Sequence, residues 1–200
     1  LEYTLVTIGA VIAGGPPLHW VAEHRLHHRF SDTPQDPHDA SRGFWYAHIG
    51  HLFWHKDFED YEEQWLKYVP DHAQDRYYRF LNKAWIPLAA LTCIPLYYFG
   101  GISFVIWGGF VRVVTMLHFT WFVNSATHMW GYRNFATKDR STNCWWVGLL
   151  AAGEGWHNNH HAYPNSARHG LKWWEFDQTY LIIRTLEILG LARDVRRPSI

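Results

Sequence analysis

The chain has 200 residues, with 18 basic and 18 acidic side chains and a formal net charge of zero. This balance excludes the basic surface that nucleic-acid binding requires, so we expect no nucleic-acid partner. Two cysteines, Cys93 and Cys144, are too few for a disulfide framework or a cysteine-based metal site. What needs an explanation is the excess of histidine and tryptophan, with 15 and 13 residues.

The first uncharged stretch covers residues 3–22, which contain no Lys, Arg, Asp or Glu. About 20 apolar residues in a helix cross a hydrocarbon core of roughly 30 Å. The Gly-Gly-Pro-Pro tract at residues 14–17 should break this helix near its end, because proline disrupts helical hydrogen bonding. We therefore predict a first membrane span at about residues 3–22.

A second uncharged stretch begins at residue 84, and Arg112 is the one formal charge before residue 133. The Gly100-Gly101 pair lies near the middle, where a tight reversal would be placed. The pattern predicts a transmembrane hairpin formed by residues 84–99 and 102–128. The alternative is a buried helix pair in a soluble protein. The length of the uncharged stretch argues against it.

The positions of the charged segments predict which side of the membrane they face. Lys and Arg are concentrated in residues 25–83 and from residue 133 onward, whereas the turn at residues 100–101 has none. By the positive-inside rule, both segments face the cytoplasm. We expect an all-α fold in one domain, an integral membrane helical bundle with a cytoplasmic histidine-rich helical cap at residues 23–83 and 129–200. Residues 57–83 and 173–191 are predicted helical regions of that cap.

Two HxxHH motifs carry the main chemical signal, and their histidines are His24, His27 and His28, then His157, His160 and His161. Positions i, i+3 and i+4 lie on one face of a helix, so three imidazoles can converge on one point. One such motif arises by chance now and then. Two in one short chain, each beside a predicted membrane boundary, indicate metal binding.

A third element, Asn124 to His128, lies at the predicted cytoplasmic end of the hairpin, with the two side chains on one helical face. Seven histidines exceed the four ligands of a structural zinc site. Imidazole sites suit iron, zinc or copper, and a larger set with open positions favours oxygen chemistry. Activating dioxygen to attack an unactivated C–H bond requires a redox metal, because no side chain can do it. Binuclear iron is therefore our first choice for the metal.

The segments HRLHHRFSDTPQDPHDASRGFWYAHIG, NSATHMWGYR and GEGWHNNHHAYP resemble three motifs of the membrane-bound delta-9 acyl desaturases, the stearoyl-CoA desaturase type and its bacterial relatives. The similarity extends from about Leu1 to Ser199. It implies a fatty acyl desaturase that uses dioxygen and two non-haem irons to introduce a cis double bond. It also implies an acyl-CoA or acyl-lipid substrate, surrounding membrane lipid, and an electron donor such as ferredoxin or a small b-type cytochrome.

Carried over residue by residue, the resemblance assigns seven metal ligands: His24, His27, His28, His128, His157, His160 and His161. It assigns Asn124 to a metal through a water molecule. Four residues near the ligands are candidates for hydrogen bonding to them, with a plain structural role as the open alternative: Asp36, His38, Asp39 and Glu154. The histidines that match no ligand position are expected to be structural or interfacial: His19, His48, His51, His55, His72, His118 and His169.

The family pattern also has an earlier histidine box, HRxxxxH or a close variant, which residues 1–23 do not supply. We therefore expect the chain to be an N-terminally truncated piece that is inactive by itself. Two other functions stay open: a non-catalytic histidine-rich membrane protein that binds zinc or a similar ion, and a lipid hydroxylase on the same di-iron scaffold.

Overall fold

The computed structural model describes residues 1–54 and 67–198, and these are helical and irregular. In this part of the chain, β-pairing is limited to the isolated bridges Tyr132–Asn143 and Asn143–Trp156. The predicted all-α fold class is confirmed. His55 and residues 57–66 of one predicted cap region lie outside the described residues.

Helices of the described residues are named in chain order. They are α1 (Glu2–Gly9), α2 (Pro17–Phe30), α3 (His51–Trp54), α4 (Arg76–Leu91), α5 (Cys93–Phe104), α6 (Arg112–Ser125), α7 (Trp145–Leu150), α8 (His157–Ala162) and α9 (Gln178–Ile188). Wider π-helical turns occupy Ala10–Gly14, Tyr46–Gly50 and Val105–Val111, and 3-10 turns occupy Ala40–Arg42 and Ala126–His128. The chain divides into two compact units: unit 1 lies within Leu1–Arg29 and His55–His118, and unit 2 within Phe30–Trp54 and Phe119–Ile200.

In unit 1, the start of α2 is tied to α4. The backbone N–H groups of Leu18 and His19 donate to the Asn82 side-chain oxygen at 2.9 and 3.3 Å. The first N–H groups of a helix have no partner within it, so this side chain satisfies two of them. Leu18 also packs with Ala22, Val69 and Tyr78 in a small apolar core. These contacts fix the helix that carries the first HxxHH motif.

The helical run Arg76–His128 is long and apolar enough to cross a membrane by length and composition. It is interrupted at Gly101, whose φ of 62° and ψ of −159° are not helical. Across the break, a side chain on Gly108 would begin 3.1 Å from the Leu96 side chain. Residues that far apart in sequence would be about 18 Å apart on a straight helix, so the chain reverses at Gly101.

The Gly-Gly-Pro-Pro tract also marks a break. Helical turns end at Gly14, α2 begins at Pro17, and the two arms meet at 84°. Arg112, the single formal charge of the long apolar stretch, donates to the carbonyl oxygens of Gly108 and Ile12 at 2.7 and 2.6 Å. Its charged nitrogens are therefore hydrogen-bonded to backbone, as a charge in apolar surroundings requires.

Arg25, inside the first HxxHH motif, makes a bidentate ion pair with Asp71 at 2.8 and 2.7 Å. This hydrogen bonding lowers the pKa of Asp71 to about 2. A lowered folded pKa contributes stability above the unfolded value of about 4, and the contribution is lost as the pH falls toward 2. Because the pair is exposed, water and salt reduce its worth to about 0.5 kcal/mol.

We therefore expect Asp71→Asn to lower the free energy of unfolding slightly at pH 6 and to change it little at pH 2. Denaturant unfolding of wild type and variant at both pH values measures the difference. An equal difference at the two pH values would contradict an ionic contribution from this pair.

In unit 2, Val123 near the end of α6 and Ala126 in the 3-10 turn after it pack on Cys144 and Val147, at the start of α7. The loop before α8 approaches this core so closely that Gly155 has no room for a side chain. A Cβ atom there would lie 2.0 Å from the backbone nitrogen of Gly148. The Cys144 N–H also donates to the Gly155 carbonyl oxygen at 2.8 Å, which fixes the loop just before the second HxxHH motif.

Gly155→Ala should therefore destabilise the protein by about 3 kcal/mol or more, because backbone atoms must move to admit one methyl group. Thermal unfolding in detergent measures the effect. Gly9→Ala is the matched control, since Gly9 lies in α1 with no atom within 4 Å of the added Cβ. A melting temperature of Gly155→Ala within the range of this control would show that the close approach is wrong.

Candidate metal centre

Three of the predicted ligands converge in unit 2. His157 Nε2 lies 3.1 Å from His128 Nε2 and 3.0 Å from His161 Nε2. The nitrogen atoms that these three residues offer lie within 4.8 Å of one another, a spacing that one metal ion can serve. His157 and His161 are one turn apart on α8, and His128 ends the 3-10 turn that follows α6. All three imidazoles are largely buried.

Each outer imidazole of this trio contacts a carboxylate through its other nitrogen. His161 Nδ1 lies 2.9 Å from Asp139 Oδ2, and His128 Nδ1 lies 3.1 Å from Asp32 Oδ2. A carboxylate accepts a hydrogen bond from Nδ1–H and so leaves the Nε2 lone pair available to a metal, an arrangement common among metal-bound histidines. His128 and His161 therefore present lone pairs toward His157.

The protonation states of these imidazoles and carboxylates also favour metal binding. Burial lowers the pKa of His161, although Asp139 opposes this, so the ring is neutral near pH 7. Burial raises the pKa of Asp139, but hydrogen bonds from His161 and Ser141 outweigh it and leave that pKa far below its ordinary value. For Asp32, burial is likewise outweighed by the bond with His128, and the pKa is lowered. Two anionic carboxylates beside the neutral His161 imidazole favour a bound cation.

Asp32 adopts a left-handed backbone conformation, with φ of 60°. Its own N–H donates to Asp36 Oδ2 at 2.8 Å, and its carboxylate also accepts the Arg140 N–H at 2.7 Å. Non-glycine residues in this conformation are uncommon and cluster at functional sites, where surrounding contacts hold them. The turn at Asp32 is therefore held in the position that its contact with His128 requires.

The donor set fits a bound metal. Three imidazole nitrogens lie within 4.8 Å of one another, and the carboxylates that contact His128 and His161 favour the tautomer in which Nε2 of each can bind a cation. Neutral imidazole suits iron, zinc and copper.

In unit 1, the first HxxHH motif forms its own group on α2. His24 Nε2 and His28 Nε2 are 3.2 Å apart, and His24 stacks on Trp20 with ring centroids 5.1 Å apart. The His27 ring lies 5.7 Å from that of His28, and His27 is only 1% exposed. His24 and His28 therefore approach each other as their i, i+4 spacing predicts, whereas His27 is not in the group of possible metal ligands that contains these two.

His160 differs from its neighbours on α8. Its ring lies 4.5 Å from that of His169, whose Nδ1 is 3.5 Å from Glu154 Oε2. Glu154, predicted to support a ligand, is therefore connected to His160 through His169. His169 was expected to be structural or interfacial, and its contact with a predicted ligand gives it a supporting position that the sequence did not indicate.

The other predicted supporting residues lie in the turn after α2. Asp36 accepts the N–H groups of Asp32 and His38, so it stabilises the Asp32 turn, and burial raises its pKa to about 7. His38 Nδ1 is 3.7 Å from Asp36 Oδ1. Asp39 caps the 3-10 turn Ala40–Arg42 by accepting the Ser41 N–H, which is a structural contact.

Asn124 is half-buried in the last turn of α6, and its water-mediated role stays a prediction.

Sequence reasoning missed the carboxylates that contact the trio, Asp32 and Asp139. Asp32 carries a weak signal, since it is an acidic residue four positions after the first HxxHH motif. Asp139 carries none, because its position in a polar loop is ordinary. A third missed acid, Glu175, lies in a Trp-Trp-Glu segment and contacts the second HxxHH motif through Asn159.

The fold and the imidazole clusters together define an α-helical, histidine-rich protein with a candidate metal centre and a helical run apolar enough for a membrane. The sequence model of the fatty acid desaturase family matches residues 3–192. The chain therefore belongs to the fatty acid desaturase family, a class of oxidoreductases. The predicted resemblance is confirmed.

Individual relatives agree on the chemistry and differ in the product. The chain is 51% identical to the sn-1 stearoyl-lipid 9-desaturase of Anabaena variabilis, over 98% of this chain and 71% of that protein. It is 49% identical to the Synechocystis enzyme of the same name, over 99% and 61%. It is 45% identical to the acyl-CoA C20 Delta5-desaturase of Anemone leveillei, over 100% and 64%. The chain thus spans about two thirds of the length of these relatives.

Proposed function

We propose that this chain is the part of a fatty acyl desaturase that holds its iron, and that the whole protein introduces a cis double bond into a saturated acyl chain. The observation that carries the proposal is the trio His128, His157 and His161 with Asp32 and Asp139 behind it. Iron bound there would supply the oxidising power, from dioxygen, that no side chain has.

The chain's own residues then have defined tasks. Each carboxylate keeps the Nδ1 proton on its imidazole, so that Nε2 binds metal. Burial of the imidazoles excludes water, which would quench a strong oxidant and weaken the local electrostatic interactions. Within unit 1, the first HxxHH motif holds three further imidazoles of the same kind, those of His24, His27 and His28.

The substrate and its surroundings follow from the relatives and from charge. Because two relatives at about half identity are named stearoyl-lipid 9-desaturases, we propose an acyl-lipid substrate and a delta-9 product. An acyl-CoA relative at 45% identity makes acyl-CoA the second choice. The apolar run Arg76–His128 supports embedding in the membrane, and the distribution of Lys and Arg supports cytoplasmic histidine clusters. Ferredoxin or a small b-type cytochrome is the proposed electron donor.

The test is expression of the whole protein in a host that makes no unsaturated acyl chains, followed by mass spectrometry of derivatised lipids to locate the double bond. We expect a cis alkene at carbon 9 of stearoyl chains on glycerolipid, together with iron in the purified protein. A hydroxylated acyl chain would identify the hydroxylase alternative. Zinc without any oxidised product would identify the non-catalytic alternative.

A further inference from the structure

Behind the second HxxHH motif lies a buried polar network whose centre is Glu175. This side chain is 4% exposed and belongs to none of the histidine motifs. One carboxylate oxygen accepts from the Tyr132 hydroxyl and the Asn134 amide, and the other from the Asn159 amide, each at 2.7 to 2.8 Å. The second oxygen also accepts the backbone N–H groups of Leu171 and Lys172 at 2.7 and 2.9 Å. Five donors therefore point at one buried carboxylate.

Asn159 connects this carboxylate to the metal-binding helix. It lies on α8 between His157 and His160 and is 1% exposed. Its amide nitrogen donates to Glu175 and to the His169 carbonyl oxygen, both at 2.8 Å. Its amide oxygen accepts from Asn134 and Asn143 at 2.8 and 2.9 Å. All four hydrogen-bonding positions of this amide are filled, so it has one orientation.

The backbone hydrogen bonds of α8 cannot by themselves hold this helix in one orientation. α8 has only six residues and no side-chain hydrogen bond at its N-terminal cap. Helices this short are unstable alone, because nucleation costs more than a few backbone hydrogen bonds return. Asn158 adds a second tether, since its oxygen accepts the N–H groups of Asn134 and Phe135 at 2.8 Å. The rotation of α8 about its axis is thus set by side chains on its buried face.

We propose that Glu175 is a positioning residue for the metal site: through Asn159 it fixes the rotation of α8, and so holds Nε2 of His157 and His161 on a common metal. This inference rests on the proposed function, in which those imidazoles bind iron. A rotation of one residue step would carry both rings away from His128, whereas the anchored helix needs no reorganisation when metal binds.

The charge of Glu175 matters as well as its shape. Glutamine has nearly the same shape, but its amide nitrogen would face N–H or O–H donors whichever way the amide is turned. Glu175→Gln therefore leaves at least one buried donor unsatisfied and removes the charge that attracts the others. The helix should lose its fixed rotation without any loss of packed volume.

The experiment uses the purified whole protein in detergent, reconstituted with Fe²⁺ and titrated against a competing chelator. Glu175→Gln should bind Fe²⁺ about 10 to 100 times more weakly than wild type, the range found for residues that support ligands. With Co²⁺ in place of iron, its visible spectrum should change, which a loss of stability alone would not cause. Glu187→Gln is the matched control, because Glu187 is a carboxylate on α9 that accepts from Arg184 and Arg197.

Wild-type affinity and an unchanged Co²⁺ spectrum in Glu175→Gln would overturn the inference and leave the proposed function standing. A wild-type protein that binds no Fe²⁺ would overturn both. Should Glu175→Gln not fold, Tyr132→Phe removes a single donor from the same carboxylate. It should weaken Fe²⁺ binding in the same direction by a smaller factor, and unchanged affinity would overturn the inference.

Discussion

His128→Asn should abolish desaturation and sharply lower the iron content of the purified protein. Asparagine places its amide nitrogen near the position of His128 Nδ1, so the hydrogen bond to Asp32 can be kept while the Nε2 ligand is lost. No other side chain of the trio can move to replace it, because His157 and His161 are fixed one turn apart on α8. The loss should therefore be one of metal binding, with folding retained.

Product formation and iron per chain are measured in the same preparation, with His72→Ala as the control. His72 is a half-exposed imidazole that stacks on Tyr78 in unit 1, and its loss should change neither quantity. Wild-type activity in His128→Asn would remove His128 from the metal site.

His160→Ala is expected to behave like His128→Asn if His160 is also a ligand, as the family resemblance implies.

Asp139→Asn has the second-largest expected effect, a loss of about 10 to 100-fold in metal affinity or activity. One Asp139 oxygen accepts from Thr137, Ser141 and the Ser141 N–H, and the other contacts His161 Nδ1. An asparagine should turn its oxygen toward the three donors and its NH₂ group toward His161. Because that group donates, His161 Nδ1 becomes the acceptor and the proton moves to Nε2, which can then no longer bind metal.

This change of tautomer distinguishes Asp139→Asn from a simple loss of stability. Nitrogen-15 NMR of labelled histidine in the metal-free protein reports which nitrogen of His161 carries the proton. Asp71→Asn is the control, since it removes a carboxylate from an exposed ion pair in unit 1. An unchanged His161 tautomer together with wild-type iron affinity would show that Asp139 has no part in the site.

Local patterns in the sequence predicted the local structure. The i, i+4 spacing placed His157 with His161 and His24 with His28, because these pairs are neighbours on one helical face. The i+3 member behaves differently: His160 is rotated far enough around α8 to contact His169. The Gly100-Gly101 pair likewise marked a reversal, since only glycine readily adopts the backbone conformation of Gly101.

Contacts between distant residues could not be predicted from one sequence. Asp32 meets His128 across 96 positions, and Glu175 meets Asn159 across 16, with no periodicity that connects them. The helix predicted at residues 173–191 is shorter, Gln178–Ile188, because side-chain contacts that the sequence pattern does not reveal decide where it begins. Glu175 holds the N–H groups of Leu171 and Lys172 in a turn, and Asp177 then caps the helix by accepting the Tyr180 N–H.

X-ray absorption at the iron edge of the purified whole protein would decide whether imidazoles bind the iron. We expect iron in a shell of nitrogen and oxygen ligands, with the outer-shell scattering that several coordinated imidazoles produce. Iron without imidazole scattering would contradict this assignment.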